Sequence, residues 1–293
     1  MRLRPEQIRN LVKSLPHSSD ASFLRDAFDL VAEAVGTERH LLLIKDHRLS
    51  IWRYFLLRRN LLRLSRGEPF AYIVQKIFFY ESEFEVNRKV LIPRKETEQM
   101  VDLAVSRGMA SDAEIILDIG TGSGAIAISL KKKYPEKNVL GIEKSAGALK
   151  IAKRNAARIL GREDAVEWGH FDVFDLDRRR SFLAGRKCDF LISNPPYIGL
   201  RERTALDASL RYEPEGALFS GEDGLDFYRS LAVNIRDLLS LKGRYLLEMG
   251  AAQAGEVSQL FETKGERSII LDHSGHERFL LGSLFASAGT STE

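Results

Sequence analysis

Cysteine is almost missing from this chain: Cys188 stands alone among 293 residues. One thiol cannot build an internal disulfide framework or a cysteine-based zinc site. Its place inside an apolar run favours an inert buried side chain over a nucleophile. No apolar run approaches the roughly 20 residues needed to span a bilayer, and the opening Met1-Arg2-Leu3-Arg4-Pro5 lacks the apolar core of a signal peptide. Low-complexity tracts are missing too, and so is a strong excess of one charge. The 44 Lys and Arg against 41 Asp and Glu leave a net charge of +3, with a pI of about 8.9. That balance permits an acidic or nucleic-acid partner without demanding one. The absences leave a cytoplasmic chain with no membrane and no metal as the expectation. What is present, 44% hydrophobic and 29% charged residues, is the composition of a globular protein able to bury a sizeable core in one or two domains.

From Arg4 to about Arg66 the apolar residues recur at helical spacing. Ile8, Leu11, Val12 and Leu15 form one stripe, closed by Pro16. Leu24, Ala27, Phe28, Val31 and Ala34 form a second, stopped by Gly36, and Leu41 to Leu64 reads as one or two further helices. The last of these interleaves Arg53, Arg58, Arg59, Arg63 and Arg66 with Trp52, Tyr54, Phe55 and Leu56. It is either a solvated face of a small bundle or a docking face for an acidic or RNA-bound partner. Phe70–Val74 and Lys76–Tyr80 then read as β-rich, with Phe84, Val86 and Val90-Leu91-Ile92 continuing an alternating, hairpin-like pattern. The expected organisation is a helical domain over residues 1–66, a β-hairpin connection over 67–98 and a third region over 99–293. Within the connection, Pro93 to Glu98 leads into a helix through Met100, Val101 and Leu103, where Glu96 and Glu98 suit the positive end of the helix dipole.

From Glu114 onward strand and helix alternate, which implies a parallel sheet covered by helices. The expected strands are Ile115–Ile119, Val139–Glu143, Val166–His170, Cys188–Ser193 and Tyr245–Met249, with helices starting near Ser123, Ala146 and Leu225. A helix around Gln253–Thr263 follows, then Ser268–Asp272 and Arg278–Phe285 joined by the turn-rich His273-Ser274-Gly275-His276. The fold class is therefore α/β, a mostly parallel sheet finished by an antiparallel hairpin.

Three stretches carry chemistry. Asp118-Ile119-Gly120-Thr121-Gly122-Ser123-Gly124-Ala125 follows the first strand and opens a helix. Its glycines allow a sharp turn and close approach to a ligand, and the helix start favours negative charge. Gly120, Gly122 and Ala125 satisfy the dinucleotide fingerprint as well, so this loop alone does not separate NAD from S-adenosylmethionine. Glu143 ends the second strand, where a carboxylate can accept both ribose hydroxyls and would repel a 2′-phosphate. Asp172 ends the third, placed either to receive an adenine amino group or to cap its own turn.

The fourth strand separates the cofactors. Cys188-Asp189-Phe190-Leu191-Ile192 closes on Ser193-Asn194-Pro195-Pro196-Tyr197, and two prolines end a strand stiffly. The exit presents an amide side chain, backbone carbonyls and an aromatic ring, a set suited to an –NH2 group on a flat system. A dehydrogenase would instead need a proton relay, typically His or a Tyr–Lys pair. The reading is methyl transfer to nitrogen. Asn194 Oδ1 and the Pro195 carbonyl would accept the two N–H bonds, and Tyr197 would stack on the planar group. The motif alone does not choose between a nucleic-acid base and a glutamine amide.

Several longer segments resemble the bacterial-type release-factor glutamine N5-methyltransferases: Glu68 to Ile73, Val90 to Glu98, Leu117 to Ala127, Ser193 to Ile198, Tyr212-Glu213-Pro214, Gly221 to Arg229 and Glu248-Met249-Gly250. The Asn-Pro-Pro-Tyr motif is shared with adenine-N6 and guanine-N2 methyltransferases; Pro93–Glu98 and Asp223–Tyr228 are more particular to this family. The resemblance implies a Rossmann-like class I S-adenosylmethionine-dependent methyltransferase with a small N-terminal helical domain that helps hold the release factor. It implies methylation of the glutamine in the Gly-Gly-Gln loop of peptide-chain release factors, by a monomer that requires no direct nucleic-acid contact. The candidate cofactor residues are Asp118, Gly120, Thr121, Gly122, Ser123, Gly124, Glu143, Asp172, Val173 and Asn194. The candidate substrate residues are Asn194, Pro195, Pro196 and Tyr197, of which Asn194, Pro195 and Tyr197 are the catalytic candidates. Three positions depart from the family pattern: Lys95 where proline is usual, Gln75 where glycine is frequent, and Val173 where an aromatic is common. The competing reading is an adenine-N6 or guanine-N2 methyltransferase acting on rRNA or DNA, which would normally bring a strongly basic groove or a recognition insertion.

Overall fold

Strands as largely apolar as Ile115–Ile119 and Cys188–Ser193 need cover on both faces, and a parallel sheet between helices supplies it. The structure, a computed structural model, describes residues 2–284; Met1 and Phe285, the expected end of the last strand, lie outside the described residues. The chain divides into two compact units, one of Met1–Gln75 with Asp207–Tyr212, the other of Lys76–Leu206 with Glu213–Glu293.

In the larger unit the described residues form a sheet of β1 (Ile115–Ile119), β2 (Asn138–Glu143), β3 (Glu167–His170), β4 (Cys188–Ser193), β5 (Leu239–Glu248), β6 (Arg267–Leu271) and β7 (Glu277–Ser283). Their spatial order is β3-β2-β1-β4-β5-β7-β6. The first five run parallel, and β7 is antiparallel to both β5 and β6. The longer helices are α1 (Lys95–Ser106), α2 (Ala125–Lys133), α3 (Ala146–Leu160), α4 (Leu176–Leu183), α5 (Asp226–Leu238) and α6 (Ala254–Leu260). Successive residues along a strand face opposite sides, so the core splits in two. Leu117, Leu191 and Leu247 meet Tyr228, Leu231 and Ile235 of α5 on one face. Ile116, Phe190 and Leu246 meet Met100 and Val101 of α1 and Ile126 of α2 on the other.

Register brings the functional ends together. Asp118 lies opposite Ile192, Ile119 opposite Ile142, and Glu143 opposite His170. The Ser193 hydroxyl donates to the Ile119 carbonyl at 2.7 Å, pinning the end of β4 to the end of β1. The chain reverses its direction of travel across the sheet between β1 and β4, the place where open α/β sheets bind ligands.

Two expectations need correction. Phe70–Val74 is a short helix, not a strand. Its aromatic and β-branched residues suggest β structure, yet Ala71, Tyr72 and Ile73 are all buried in succession, which a half-exposed strand cannot do. Phe70, Ile73 and Val74 pack into the core of the smaller unit, so its helical run passes Arg66. The strand expected at Tyr245 starts at Leu239, because a register shift between Cys188 and Phe190 absorbs the polar residues that follow it. The helix α4, capped by Asp175 at the Arg178 amide, had no signal in its arginine-rich sequence.

The smaller unit packs helices Pro5–Lys13, Ala21–Val35 and Ile51–Ser65 around Ile8, Val12, Ala27, Val31, Leu57 and Leu61. Arg63 makes a two-pronged bond to the buried Glu68, 2.8 Å at each end. Arg211 and the Tyr212 hydroxyl both donate to the Arg66 carbonyl, at 2.7 and 2.9 Å. On helix Ile51–Ser65, Trp52 is 81% and Phe55 61% exposed, flanked by exposed Arg53, Arg58 and Arg59.

Candidate active site

At the carboxyl ends of β1, β2, β3 and β4 the larger unit encloses a cavity of about 270 Å³. Gly120 and Gly122 form one wall. Gly120 adopts φ 71° and Gly122 φ 57°, left-handed conformations that strain other residues. Apart from its two chain neighbours, no atom lies within 4 Å of the place a Gly120 Cβ would occupy, so the backbone there borders open space. Glu143 stands beside them and accepts the Gly122 amide at 3.0 Å and the Ser145 amide at 2.8 Å. Asp172 and Val173 continue the lining from the end of β3, and Asn194 and Pro196 complete it from the end of β4. Asp172 also accepts the Phe174 amide at 3.0 Å, so it caps its own turn while facing the cavity.

Of the residues marked from sequence, six do not line this cavity. Asp118, fully buried, lies beneath the loop and accepts the Thr121 hydroxyl at 2.5 Å and the Ala127 amide at 3.2 Å, tying loop to helix. Burial raises its carboxyl to about 7. Thr121 spends its hydroxyl there, and the Ser123 carbonyl takes the Asn155 amide at 2.9 Å. Gly124 is the left-handed cap of α2, where a Cβ would meet Ile128 at 2.6 Å. Pro195 is buried, and Tyr197 packs against the core and is not part of the cavity lining. Burial pushes the Tyr197 phenol up to about 12.

Sequence reasoning missed the aromatic lining. Phe171, Phe174 and Phe227 all face the cavity, and the Phe174 and Phe227 rings meet edge to face at 5.4 Å. These rings supply flat apolar surface beside Val173, the position where an aromatic side chain was lacking. The signal was present in His170-Phe171-Asp172-Val173-Phe174 and in the Asp-Phe-Tyr run containing Phe227, but only the fold joins the two.

The Asn194 loop is braced from outside. A Cβ on Gly224, which has φ 82°, would lie 2.2 Å from the Tyr197 carbonyl oxygen. Gln253 donates to that same carbonyl at 2.8 Å. Beyond it, the Ile198 amide donates to the Leu218 carbonyl at 2.9 Å, and the Ser220 amide to the Ile198 carbonyl at 3.0 Å. Arg94 pairs with the buried Glu213 at 2.5 Å, and Glu213 also accepts the Ile92 amide at 3.2 Å. The segments from Val90 to Glu98, Glu213-Pro214 and Gly221 to Arg229 thus meet around one loop. Within it, Asn194 Nδ2 donates to Thr97 Oγ1 at 2.8 Å, whereas Asn194 Oδ1 is buried and has no hydrogen-bond partner. A buried acceptor left unsatisfied costs about 1–3 kcal/mol, which singles this oxygen out among the polar groups of the loop.

The residues present fit S-adenosylmethionine: carboxylates for hydroxyl or amino groups, aromatic rings for a flat base, and glycine backbone for close approach. A family model, the methyltransferase small domain, matches residues 99–212. The release factor glutamine methyltransferase of Geobacter sulfurreducens is 37% identical over 238 residues, covering 80% of this chain and 80% of that protein. The protein of the same name from Bacteroides thetaiotaomicron is 38% identical over 240 residues, covering 80% and 83%. The bifunctional methyltransferase of Rickettsia prowazekii is 36% identical over 263 residues, of which the match spans 82% of this chain but about half, 49%, of that longer protein. Among solved structures, the hMettl16 catalytic domain superposes with a TM-score of 0.53 at 14% identity, covering 81% of this chain and 85% of that one, a likeness of fold.

Proposed function

The chain belongs to the release factor glutamine methyltransferase family, and from that premise we propose that it methylates the side-chain amide nitrogen of the glutamine in the Gly-Gly-Gln loop of peptide-chain release factors. Its sheet is that of a Rossmann-like class I methyltransferase. S-adenosylmethionine supplies an already activated methyl group when bound, so the demand on the protein is alignment.

The observation that carries the reading is the unpartnered Asn194 Oδ1 at the β4 end of the cavity. An amide nitrogen is a poor nucleophile because its lone pair is delocalised into the carbonyl. Two acceptors aimed at its two N–H bonds fix the nitrogen and favour the positive charge that grows on it. Asn194 Oδ1 supplies one acceptor and the Pro195 carbonyl the other. Pro195 and Pro196 hold both stiffly, and the Gly224 and Gln253 contacts keep the loop seated. Glu143 and Asp172 orient the cofactor through its polar groups, Phe227 and Phe171 through its base. No general base is needed, since the proton leaves after transfer.

The release factor docks through the exposed Trp52, Phe55 and arginine face of helix Ile51–Ser65, and the enzyme works where translation takes place, in the cytoplasm. A nucleic-acid amino methyltransferase is not favoured: relatives spanning four fifths of the chain act, by name, on release factors. The test offers labelled S-adenosylmethionine with purified release factor, and separately with ribosomal RNA and with DNA, and maps the product by mass spectrometry. Label on the Gly-Gly-Gln glutamine is expected; label on nucleic acid alone overturns the reading.

A further inference from the structure

The Asn194 amide is the outer end of a hydrogen-bond chain that runs away from the cavity into the core. Its Nδ2 donates to Thr97 Oγ1 at 2.8 Å, and the Thr97 hydroxyl donates to Glu248 Oε2 at 2.8 Å. Thr97 lies in the first turn of α1 and is 4% exposed; Glu248 ends β5 and is 1% exposed. A threonine hydroxyl has one hydrogen, and an ionised carboxylate can only accept. Once Thr97 gives that hydrogen to Glu248, its oxygen has only lone pairs left for Asn194. The amide must then turn its nitrogen inward, which leaves Oδ1 as the end without a partner. The two ends of an amide have nearly the same size, so packing alone does not choose between them.

We propose that Thr97 and Glu248 are positioning residues that set the polarity of the Asn194 amide, so that the site offers an acceptor and not a donor to the incoming –NH2 group. This rests on the glutamine-methylation reading above. It adds a condition that reading does not contain: the direction of the chain depends on the charge of Glu248. A protonated Glu248 can donate to Thr97, the Thr97 hydrogen is then free to point at Asn194, and the amide turns its Nδ2 to the cavity. Two donors would then face each other.

Burial raises the Glu248 carboxyl to about 7. The Thr97 hydrogen bond opposes that rise most, followed by Arg278 of β7 and Arg94 ahead of α1; Glu96 of α1 adds to it, and the phenols of Tyr197 and of Tyr228 in α5 stand close by. The Tyr228 hydroxyl itself donates to the Glu248 backbone carbonyl at 2.6 Å and leaves the carboxylate to Thr97.

The experiment measures kcat and KM for the release factor between pH 5.5 and 9, with cofactor affinity by calorimetry, for the wild type, Thr97→Val, Thr97→Ser and Glu248→Gln. Thr97→Val keeps the shape and removes the hydroxyl. It is expected to lower kcat by about 10- to 100-fold, with cofactor affinity within about 2-fold, and Thr97→Ser to recover most of the loss. The wild type is expected to lose kcat on the acid side with a midpoint near 7. Glu248→Gln, whose amide oxygen can accept the Thr97 hydrogen at any pH, is expected to flatten that limb. Thr97→Val with wild-type kcat, or an acid limb that persists in Glu248→Gln, overturns the polarity chain while leaving the functional reading intact. If Thr97→Val does not fold, the Glu248→Gln profile decides alone. A wild-type protein that leaves the release factor unlabelled overturns the functional reading, and this proposal with it.

Discussion

In the proposed reaction Asn194 has one job that no neighbour can take over. The residue lines the cavity, its Oδ1 is a buried acceptor without a partner, and its Nδ2 is spent on Thr97. Asn194→Ala should therefore lower kcat by about 10²–10³, the usual cost of losing one preorganised donor or acceptor at a reacting centre. Calorimetry should find cofactor affinity changed by less than about 3-fold; a large loss of affinity with kcat retained would assign the residue to cofactor binding instead. Phe227 is the opposite case. Its ring lines the cavity and meets Phe174 edge to face, and aromatic contacts of this kind contribute about 0.5–1.5 kcal/mol beyond area burial. Phe227→Ala should weaken S-adenosylmethionine binding by about 10-fold or more while leaving kcat at saturation largely intact. The two variants separate reaction from binding within one cavity.

At the scale of elements, the loop after β4 is held by a segment some thirty residues further along the chain. Gly224 takes φ 82°, and a Cβ there would collide with the Tyr197 carbonyl oxygen at 2.2 Å. Backbone on backbone cannot yield as a flexible side chain does. Gly224→Ala should cost roughly 2 kcal/mol or more of stability, read as a lower urea midpoint, together with a kcat loss as the Asn194 loop shifts. Full activity in that variant would show that the brace does not set the loop. The departures at Lys95 and Gln75 also become legible here. Lys95 is the first residue of α1, where proline is favoured because its missing N–H costs nothing; lysine keeps the helix start and loses only rigidity. Gln75 is the left-handed cap of helix Phe70–Val74 at φ 60°, which explains why glycine suits the position.

Across the whole molecule, two buried carboxyls link stability to pH. Asp118 and Glu248 are each raised to about 7 by burial, from ordinary values of 3.8 and 4.5. Between those limits the folded chain holds protons that the unfolded chain has released, so stability falls as pH rises through the window from roughly 4 to 7 and levels off above it. Urea midpoints measured from pH 5 to 8 should drop for the wild type and drop less for Glu248→Gln, which has no charge to bury. A midpoint that rises with pH across that range in the wild type would contradict the assignment. The same carboxyl thus appears in two measurements: its ionised form costs stability and orients Asn194.

Much of the sheet and of the loops at its edge follows from local features of the chain. Apolar runs long enough for buried strands, glycines after the first of them and prolines after the fourth are local features, and their physics is local: sterics of φ, loss of a ladder donor, cover required on both faces. They set the parallel sheet, the loop at Gly120 and the stiff exit at Asn194. Short segments whose composition argues one way and whose burial argues the other, such as Phe70–Val74, were decided by packing. Contact across long separations was decided only by the tertiary structure. Nothing near Asn194 in the chain points to Thr97, 97 residues away, or to Glu248, 54 residues away in the other direction. The direction of a hydrogen-bond chain depends on which groups meet and how deeply the last is buried, and both follow from the sheet that brings α1, β4 and β5 together.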